Sequence, residues 1–282
     1  MYKIVRKKAL NPTVTQMEIE APLVARKAKP GQFIILRVDE AGERIPLTVA
    51  GTDPEEGTVK IIFQIVGATT ELLNHKVEGE SIQDFVGPLG VDTRTEGIQK
   101  VCIVGGGVGC AIAMPVAQAF HRLGAEITSI IGFRSKDLLI LEDEFRACSD
   151  RLIVMTDDGS YARHGNVTVP LKELLEAGET FDTIITIGPL IMMKFVTLTA
   201  KPFGVPVTAS MNPIMIDGTG MCGVCRLTLN QGGKRVTKFA CVDGPDFNAY
   251  EIDFDEAMSR GRMYIDYECR AHEEVCNLFK DA

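Results

Sequence analysis

From Lys3 to about Gly90, apolar residues fall in short runs: Thr13 to Ile19, Gln32 to Val38, Ile45 to Ala50, Val59 to Val66 and Ser81 to Val86. Turn-forming residues divide them at Pro30-Gly31, Glu40-Ala41-Gly42 and Asp53-Pro54-Glu55-Glu56-Gly57. Many short strands at this spacing predict a small antiparallel barrel. A helical stretch from Thr69 to His75 interrupts it.

The rhythm changes at Gln99. Val101-Cys102-Ile103-Val104 is a fully apolar strand, and Ala111 to Leu123 reads as a helix stopped by Gly124. Strand Ile127 to Ile131, helix Leu138 to Phe145, strand Leu152 to Met155, helix Pro170 to Ala177, strand Thr183 to Ile187, helix Leu190 to Leu198 and strand Val205 to Ala209 follow. Such alternation predicts a parallel sheet covered on both faces. From Ser210 the chain carries a Gly- and Cys-rich block and then a polar helix from about Phe254. The expected architecture is multidomain: an antiparallel β-barrel over 1–97, an α/β parallel-sheet domain over 98–209 and a small C-terminal domain over 210–282.

The 45% hydrophobic and 24% charged residues are those of an ordinary globular protein. No apolar run approaches the roughly 18 residues of a membrane span. The start, Met1-Tyr2-Lys3-Ile4-Val5-Arg6-Lys7-Lys8, has no apolar export core, so cytoplasmic residence is the expectation. A net charge of -8 argues against nucleic acid or an anionic membrane as partner, because either needs a concentrated basic face. Eight cysteines in such a chain point to metal or redox chemistry before disulfides. Cys102, Cys148, Cys269 and Cys276 are read as small buried hydrophobes.

Gly105-Gly106-Gly107-Val108-Gly109 joins the apolar strand to the following helix. Backbone N–H groups and the positive helix end can hold a pyrophosphate there, and the missing side chains let it approach. Cys110 occupies what would be the last glycine of the usual dinucleotide pattern. After the next strand, Arg134 and Lys136 suit a 2'-phosphate, or are solvated loop charges; Asp157 and Asp158 offer alternative ribose contacts. NAD(H) and NADP(H) are both compatible with this local chemistry. Gly188-Pro189 ends another strand and turns the helix bearing Met192 and Met193 toward the cleft. In the barrel, Arg44, Pro46 and Thr48 share one strand face, where a guanidinium could hold a flavin diphosphate and a hydroxyl the ring. Gly67, Thr69 and Thr70 open the inserted helix, whose N–H groups also suit phosphate.

The strongest signal is Asp217-x4-Cys222-x2-Cys225 followed by Cys241. It has the ligand spacing of a plant-type [2Fe-2S] cluster with aspartate at the first position. A zinc site using Cys222, Cys225, Cys269 and Cys276 is the rival, but no second CxxC completes it. Asp217 is also a plausible turn residue before Gly218. As a carboxylate it would keep the charge of four thiolates.

Together these motifs resemble the ferredoxin-NADP reductase-like flavoproteins that carry an appended [2Fe-2S] domain. The resemblance runs through Arg44-x-Pro46-Leu47-Thr48, Gln64-Ile65-Val66-Gly67, Gly105 to Gly109, Gly188-Pro189-x-x-Met192, Gly218 to Arg226 and Ala240 to Pro245. Two branches match: electron-transfer subunits of dihydroorotate dehydrogenases, which have cysteine at position 217, and small subunits of ferredoxin:NADP+ oxidoreductases, which share Asp-Gly-x-Gly-Met-Cys and an acidic C-terminal extension. The second is preferred. It implies FAD in the barrel, NAD(H) in the α/β domain, and a [2Fe-2S] cluster on Asp217, Cys222, Cys225 and Cys241. It also implies a larger bifurcating flavin/[4Fe-4S] partner subunit, with ferredoxin met indirectly. No residue is expected to act as a proton-transferring catalyst. The distant rival from another class is a zinc-bearing, nucleotide-binding regulator.

Overall fold

The computed structural model describes residues 1–280, with side chains described as far as residue 276. The first layer is built from β1 (Tyr2–Asn11), β2 (Val14–Glu20), the short α1 (Pro22–Ala25), β3 (Phe33–Arg37), β4 (Arg44–Asp53), β5 (Thr58–Gln64), α2 (Ala68–His75), β6 (Ser81–Ile82) and β7 (Asp84–Leu89). Its strands form one antiparallel sheet in the order β6-β1-β2-β5-β4-β3-β7. The run expected as a single strand from Ser81 splits at Gln83, so that one half pairs with β1 and the other with β3. Asn11 sets the first turn by accepting the Thr13 N–H at 2.9 Å. Inside the curve Ile4, Met17, Ile34, Leu36, Ile61 and Phe63 are buried. Each such side chain contributes about 1.5–3 kcal/mol of apolar burial.

The second layer comprises β8 (Lys100–Gly106), α3 (Gly109–Arg122), β9 (Glu126–Phe133), α4 (Glu142–Cys148), β10 (Arg151–Thr156), β11 (Arg163–His164), α5 (Thr168–Glu176), β12 (Thr183–Ile187), α6 (Leu190–Ala200) and β13 (Val207–Ser210). Strands β8, β9, β10 and β12 are largely apolar and buried on both faces, with Thr128, Ser129 and Thr186 among the buried polar exceptions. α3 and α4 cover one face and α5 and α6 the other. The helix expected from Leu138 begins later, because Leu141 takes a left-handed conformation (φ 60°) immediately before α4.

The remaining elements are β14 (Arg226–Gln231), β15 (Lys234–Phe239), α7 (Ala240–Asp243), β16 (Asp246–Asn248), α8 (Phe254–Arg260) and α9 (Ile265–Lys280). β14 and β15 form a hairpin on Gly232-Gly233, with φ of +56° and +78° as a type I′ turn requires. The polar helix expected from Phe254 is two helices, broken between Arg260 and Ile265.

Two features were not expected. β16 adds an antiparallel edge to the parallel sheet, whose order is β11-β10-β9-β8-β12-β13-β16. α9 leaves the C-terminal unit and packs on α2 of the first layer. The reading of four cysteines as buried hydrophobes holds for Cys102 and Cys148, but Cys269 is exposed and Cys276 only half-buried. The reason is that α9 lies on the protein surface and does not enter a core.

Candidate functional site

Ile45, Leu47 and Val49 point into the first-layer core, so Arg44, Pro46 and Thr48 occupy the opposite face of β4. On that face they stand opposite Arg37, Ile35 and Phe33 of β3. Phe33 and Ile35 belong to the core shared with the C-terminal unit. Arg44 is held only loosely, its Nη2 3.9 Å from Asp84 Oδ2, which already accepts the Arg37 Nε–H at 2.7 Å. Its donors therefore remain available for an anion.

Thr69 donates to Glu43 at 3.4 Å, which puts the first turn of α2 beside the start of β4. Thr70 caps that turn, its hydroxyl accepting the Val66 and Gly67 N–H groups at 3.0 Å each. The first helical bond runs from Glu71 N–H to Gly67, so the N–H groups of Ala68, Thr69 and Thr70 have no partner within the helix. Ile65 and the exposed Val66 lead into this turn.

In the second layer the glycine turn and the Gly188-Pro189 turn meet at the carboxyl ends of adjacent strands β8 and β12. A Cβ on Gly106 would lie 2.3 Å from Met192 Sδ and 3.3 Å from Pro189. One on Gly109 would lie 2.5 Å from the Ile187 carbonyl oxygen, which is why α3 can start so close to β12. Chain order reverses between these two strands, where open α/β sheets bind ligands. Gly107 takes φ +55°, and Val108 precedes the helix. Cys110 is fully buried against Gly105, and burial pushes its thiol up.

Arg134 and Asp157 occupy neighbouring loops, tied by the Asp157 N–H to Phe133 and the Asp158 N–H to Arg134. Asp158 is committed to its own turn: its carboxylate accepts the Ser160 hydroxyl at 2.6 Å and N–H at 2.9 Å, which holds it below the usual carboxylate range. Arg134 and Asp157 are exposed.

The loop after β13 carries Asp217, Cys222 and Cys225, and α7 carries Cys241. Cys225 and Cys241 are 2% exposed, with their sulfurs 3.2 Å apart. Burial and the facing Cys225 push the Cys241 thiol up to about 12, against the pull of the Gly220 N–H. Two buried sulfurs this close present soft donors to a single cation, so the donor set suits a metal. Cys222, on the same loop, is exposed. Asp217 Oδ2 accepts the Thr219 N–H at 3.0 Å and its hydroxyl. The Thr219 hydroxyl, the Thr219 N–H, the Met221 N–H and the charge of Arg44 hold this carboxyl below its ordinary range. It is thus an anion at neutral pH. The influence of Arg44 brings the barrel cation and the cluster loop into one electrostatic neighbourhood.

That proximity has a steric cause. Gly218 adopts φ +81°, and a Cβ there would lie 2.7 Å from Ile35 and 2.8 Å from Leu89. Ile35 is paired with Pro46, so the cluster loop seats on the sheet face that holds the flavin candidates. Gly90 makes a second close approach, 3.0 Å from the Gly244 carbonyl oxygen for an added Cβ, and the Val91 N–H donates to that oxygen at 2.7 Å. Gly218 and Gly244 stand in the sequence motifs as turn and motif residues, but their contacts with Ile35, Leu89 and Gly90 have no local signature.

Cys222, Cys225, Cys269 and Cys276 do not gather as a zinc site among the described residues: the first two lie on the cluster loop and the last two on α9.

Residues 212–253 match the iron-sulfur cluster binding domain of dihydroorotate dehydrogenase B. A Thermotoga maritima homolog of the dihydroorotate dehydrogenase B (NAD(+)) electron transfer subunit is 48% identical over 97% of this chain and 95% of its own. A chain of the NADH-dependent reduced ferredoxin-NADP oxidoreductase, solved for insight into flavin-based electron bifurcation, superposes with a TM-score of 0.90 at 45% identity, covering 98% of both chains. The ferredoxin reductase of carbazole 1,9a-dioxygenase shares the fold, with a TM-score of 0.63 at 19% identity over 73% of this chain and 65% of its own.

Proposed function

We propose that this chain, which belongs to the family of dihydroorotate dehydrogenase B electron-transfer subunits and their homologues, is the small subunit of a ferredoxin-NADP oxidoreductase. It binds FAD, NAD(H) and a [2Fe-2S] cluster, and exchanges electrons with a larger bifurcating flavin/[4Fe-4S] subunit. The observation that carries this reading is the seam at Gly218, which sets the cluster loop against the barrel face bearing Arg44, Pro46 and Thr48. A two-electron carrier on that face and a one-electron carrier in the loop would be neighbours.

We assign the flavin to residues 1–97, the pyridine nucleotide to 98–209 and the cluster to 210–282. The bound flavin would supply hydride exchange with a nicotinamide and one-electron exchange with a cluster. The chain positions these groups. Arg44 and the N–H groups opening α2 neutralise a diphosphate, and Thr48 orients a ring against Pro46, while Leu47, whose side chain faces the core, offers only its backbone. Gly106, Gly107 and Gly188 let a pyrophosphate and nicotinamide approach the backbone, with Pro189 and Met192 closing the floor. Cys225 and Cys241, already in contact, would hold the cluster together with Cys222 and Asp217 of the same loop. No side chain is required to move a proton.

Among the described residues no helix is long and apolar enough to cross a membrane. Cytoplasmic residence is part of the proposal, because thiolate clusters suit a reducing compartment.

Native purification tests the reading. One flavin and two irons with matching sulfide per chain, in a complex with a larger flavin/[4Fe-4S] protein, are expected. Absence of flavin after reconstitution with FAD would refute the oxidoreductase reading. Copurification with a dihydroorotate-oxidising flavoprotein would instead support the second reading, which the match of residues 212–253 favours.

A further inference from the structure

We propose that Glu71, His272 and Cys276 form a separate metal site that takes one Zn2+ between α2 and α9. One ligand atom from each residue lies within 4.8 Å of the others. No other His, Cys, Asp and Glu residues among the described ones form such a group of three. His272 and Cys276 stand four positions apart on one face of α9, and Glu71 faces them from the first turn of α2. The donors are thus carried on two helices.

A second observation points to a missing partner. His272 Nε2 is sealed from solvent without a hydrogen bond, and the nearest anionic atom, Glu71 Oε2, is 3.7 Å away. That spacing is too long for a hydrogen bond, and a buried polar atom left unpaired costs about 1–3 kcal/mol. A cation between the two would satisfy both. The other carboxylate oxygen of Glu71 is hydrogen-bonded to His75 Nε2 at 3.1 Å. Such an outer partner fixes the orientation of a metal-binding carboxylate.

The docking of α9 also calls for a specific link. Tyr264, Ile265 and Tyr267 at its start are 50% or more exposed, so its first turn buries little against the protein. Oxygen, nitrogen and sulfur donors in one set suit zinc, with the fourth tetrahedral position left to water. On binding, the Cys276 thiol loses its proton to solvent and a Zn–S bond forms, with no change of oxidation state. The site shares no residue with the cluster loop and does not depend on which partner the chain serves.

The test uses the natively purified complex, equilibrated in a zinc buffer and desalted, with zinc, iron and flavin counted together. About one zinc per chain is expected. Zinc-edge X-ray absorption should show one sulfur at about 2.3 Å with nitrogen and oxygen neighbours at about 2.0–2.1 Å. Cys276→Ser and His272→Ala should lower zinc occupancy at least tenfold at the same free zinc, leaving iron and flavin unchanged. The near-isosteric Glu71→Gln should weaken zinc in the same direction. A zinc shell without sulfur in the unaltered complex would overturn the site, whatever the stability of the variants. So would occupancy equal in the Cys276→Ser and unaltered complexes, or zinc removed by Cys222→Ser alone.

Discussion

Replacing Gly218 by alanine tests the seam between the cluster loop and the barrel. The new methyl group would sit 2.7 Å from Ile35 Cδ1 and 2.8 Å from Leu89 Cδ1, on a backbone with φ +81°. The left-handed conformation costs a non-glycine residue roughly 1–2 kcal/mol. Overpacking against two core side chains adds roughly 1–3 kcal/mol. The sum of about 2–5 kcal/mol corresponds to a roughly 30- to 5,000-fold larger population of the opened loop. Chelator-driven iron release from the oxidised complex reads that population, because the buried Cys225–Cys241 pair is reached only when the loop lifts. Gly223→Ala provides the comparison. Its φ is +67°, but its Cβ would meet only Phe239 at 3.6 Å, an ordinary contact. Conformational strain alone predicts about a 5- to 30-fold effect there. If iron left the Gly218→Ala protein no faster than the Gly223→Ala protein, the steric argument for the seam would be wrong.

Asp217→Cys should retain the cluster while changing its EPR spectrum and midpoint potential; an unchanged spectrum would remove Asp217 from the ligand set. Asp157→Ala should weaken NADH binding by about tenfold, the worth of a ribose hydrogen bond near 1.4 kcal/mol, while Arg134→Ala leaves NADH within about twofold. The reverse pattern measured with NADPH would mark a 2'-phosphate site. Asp246 is a third case: its Oδ2 accepts the Thr93 hydroxyl at 2.6 Å, but Oδ1 is sealed without a partner, and burial raises this carboxyl above its ordinary range. A carboxyl raised in the folded state binds its proton better there than in the unfolded chain, so its contribution is intact at low pH and lost as pH rises above about 4. Asp246→Asn should therefore stabilise the protein by about 1 kcal/mol at pH 7, and by nothing below about pH 4, in thermal melts.

The glycine turns were legible because their chemistry is local. Gly106 and Gly188 each announce a tight strand end, and the alternation of strands and helices places both ends on one rim. The approach of Cys225 to Cys241 was legible through spacing, since the metal site proposed there requires it. The contacts that join the layers were not. Nothing local to Asp246-Phe247-Asn248 distinguishes a sheet edge from a loop, because three residues carry no period. Gly218 reads as a turn glycine in sequence, and its contact with Ile35 spans most of the chain. Cys269 and Cys276 looked like core residues because α9 is amphipathic; the helix instead packs on α2 at the surface and leaves Cys269 exposed.

The edge strand β16 also bears on how such a protein can be taken apart. Its pairing of Thr208 with Asn248 and Ser210 with Asp246 stitches the cluster segment into the sheet that carries the nucleotide turns. A cut at residue 210, where the sequence pattern changes, would leave β13 with a bare and adhesive edge. The iron-bearing segment is therefore a poor cassette for transplantation. An engineer wishing to exchange it would have to move β16 and its host strand together, and a lineage that lost the cluster would need something else to close the sheet.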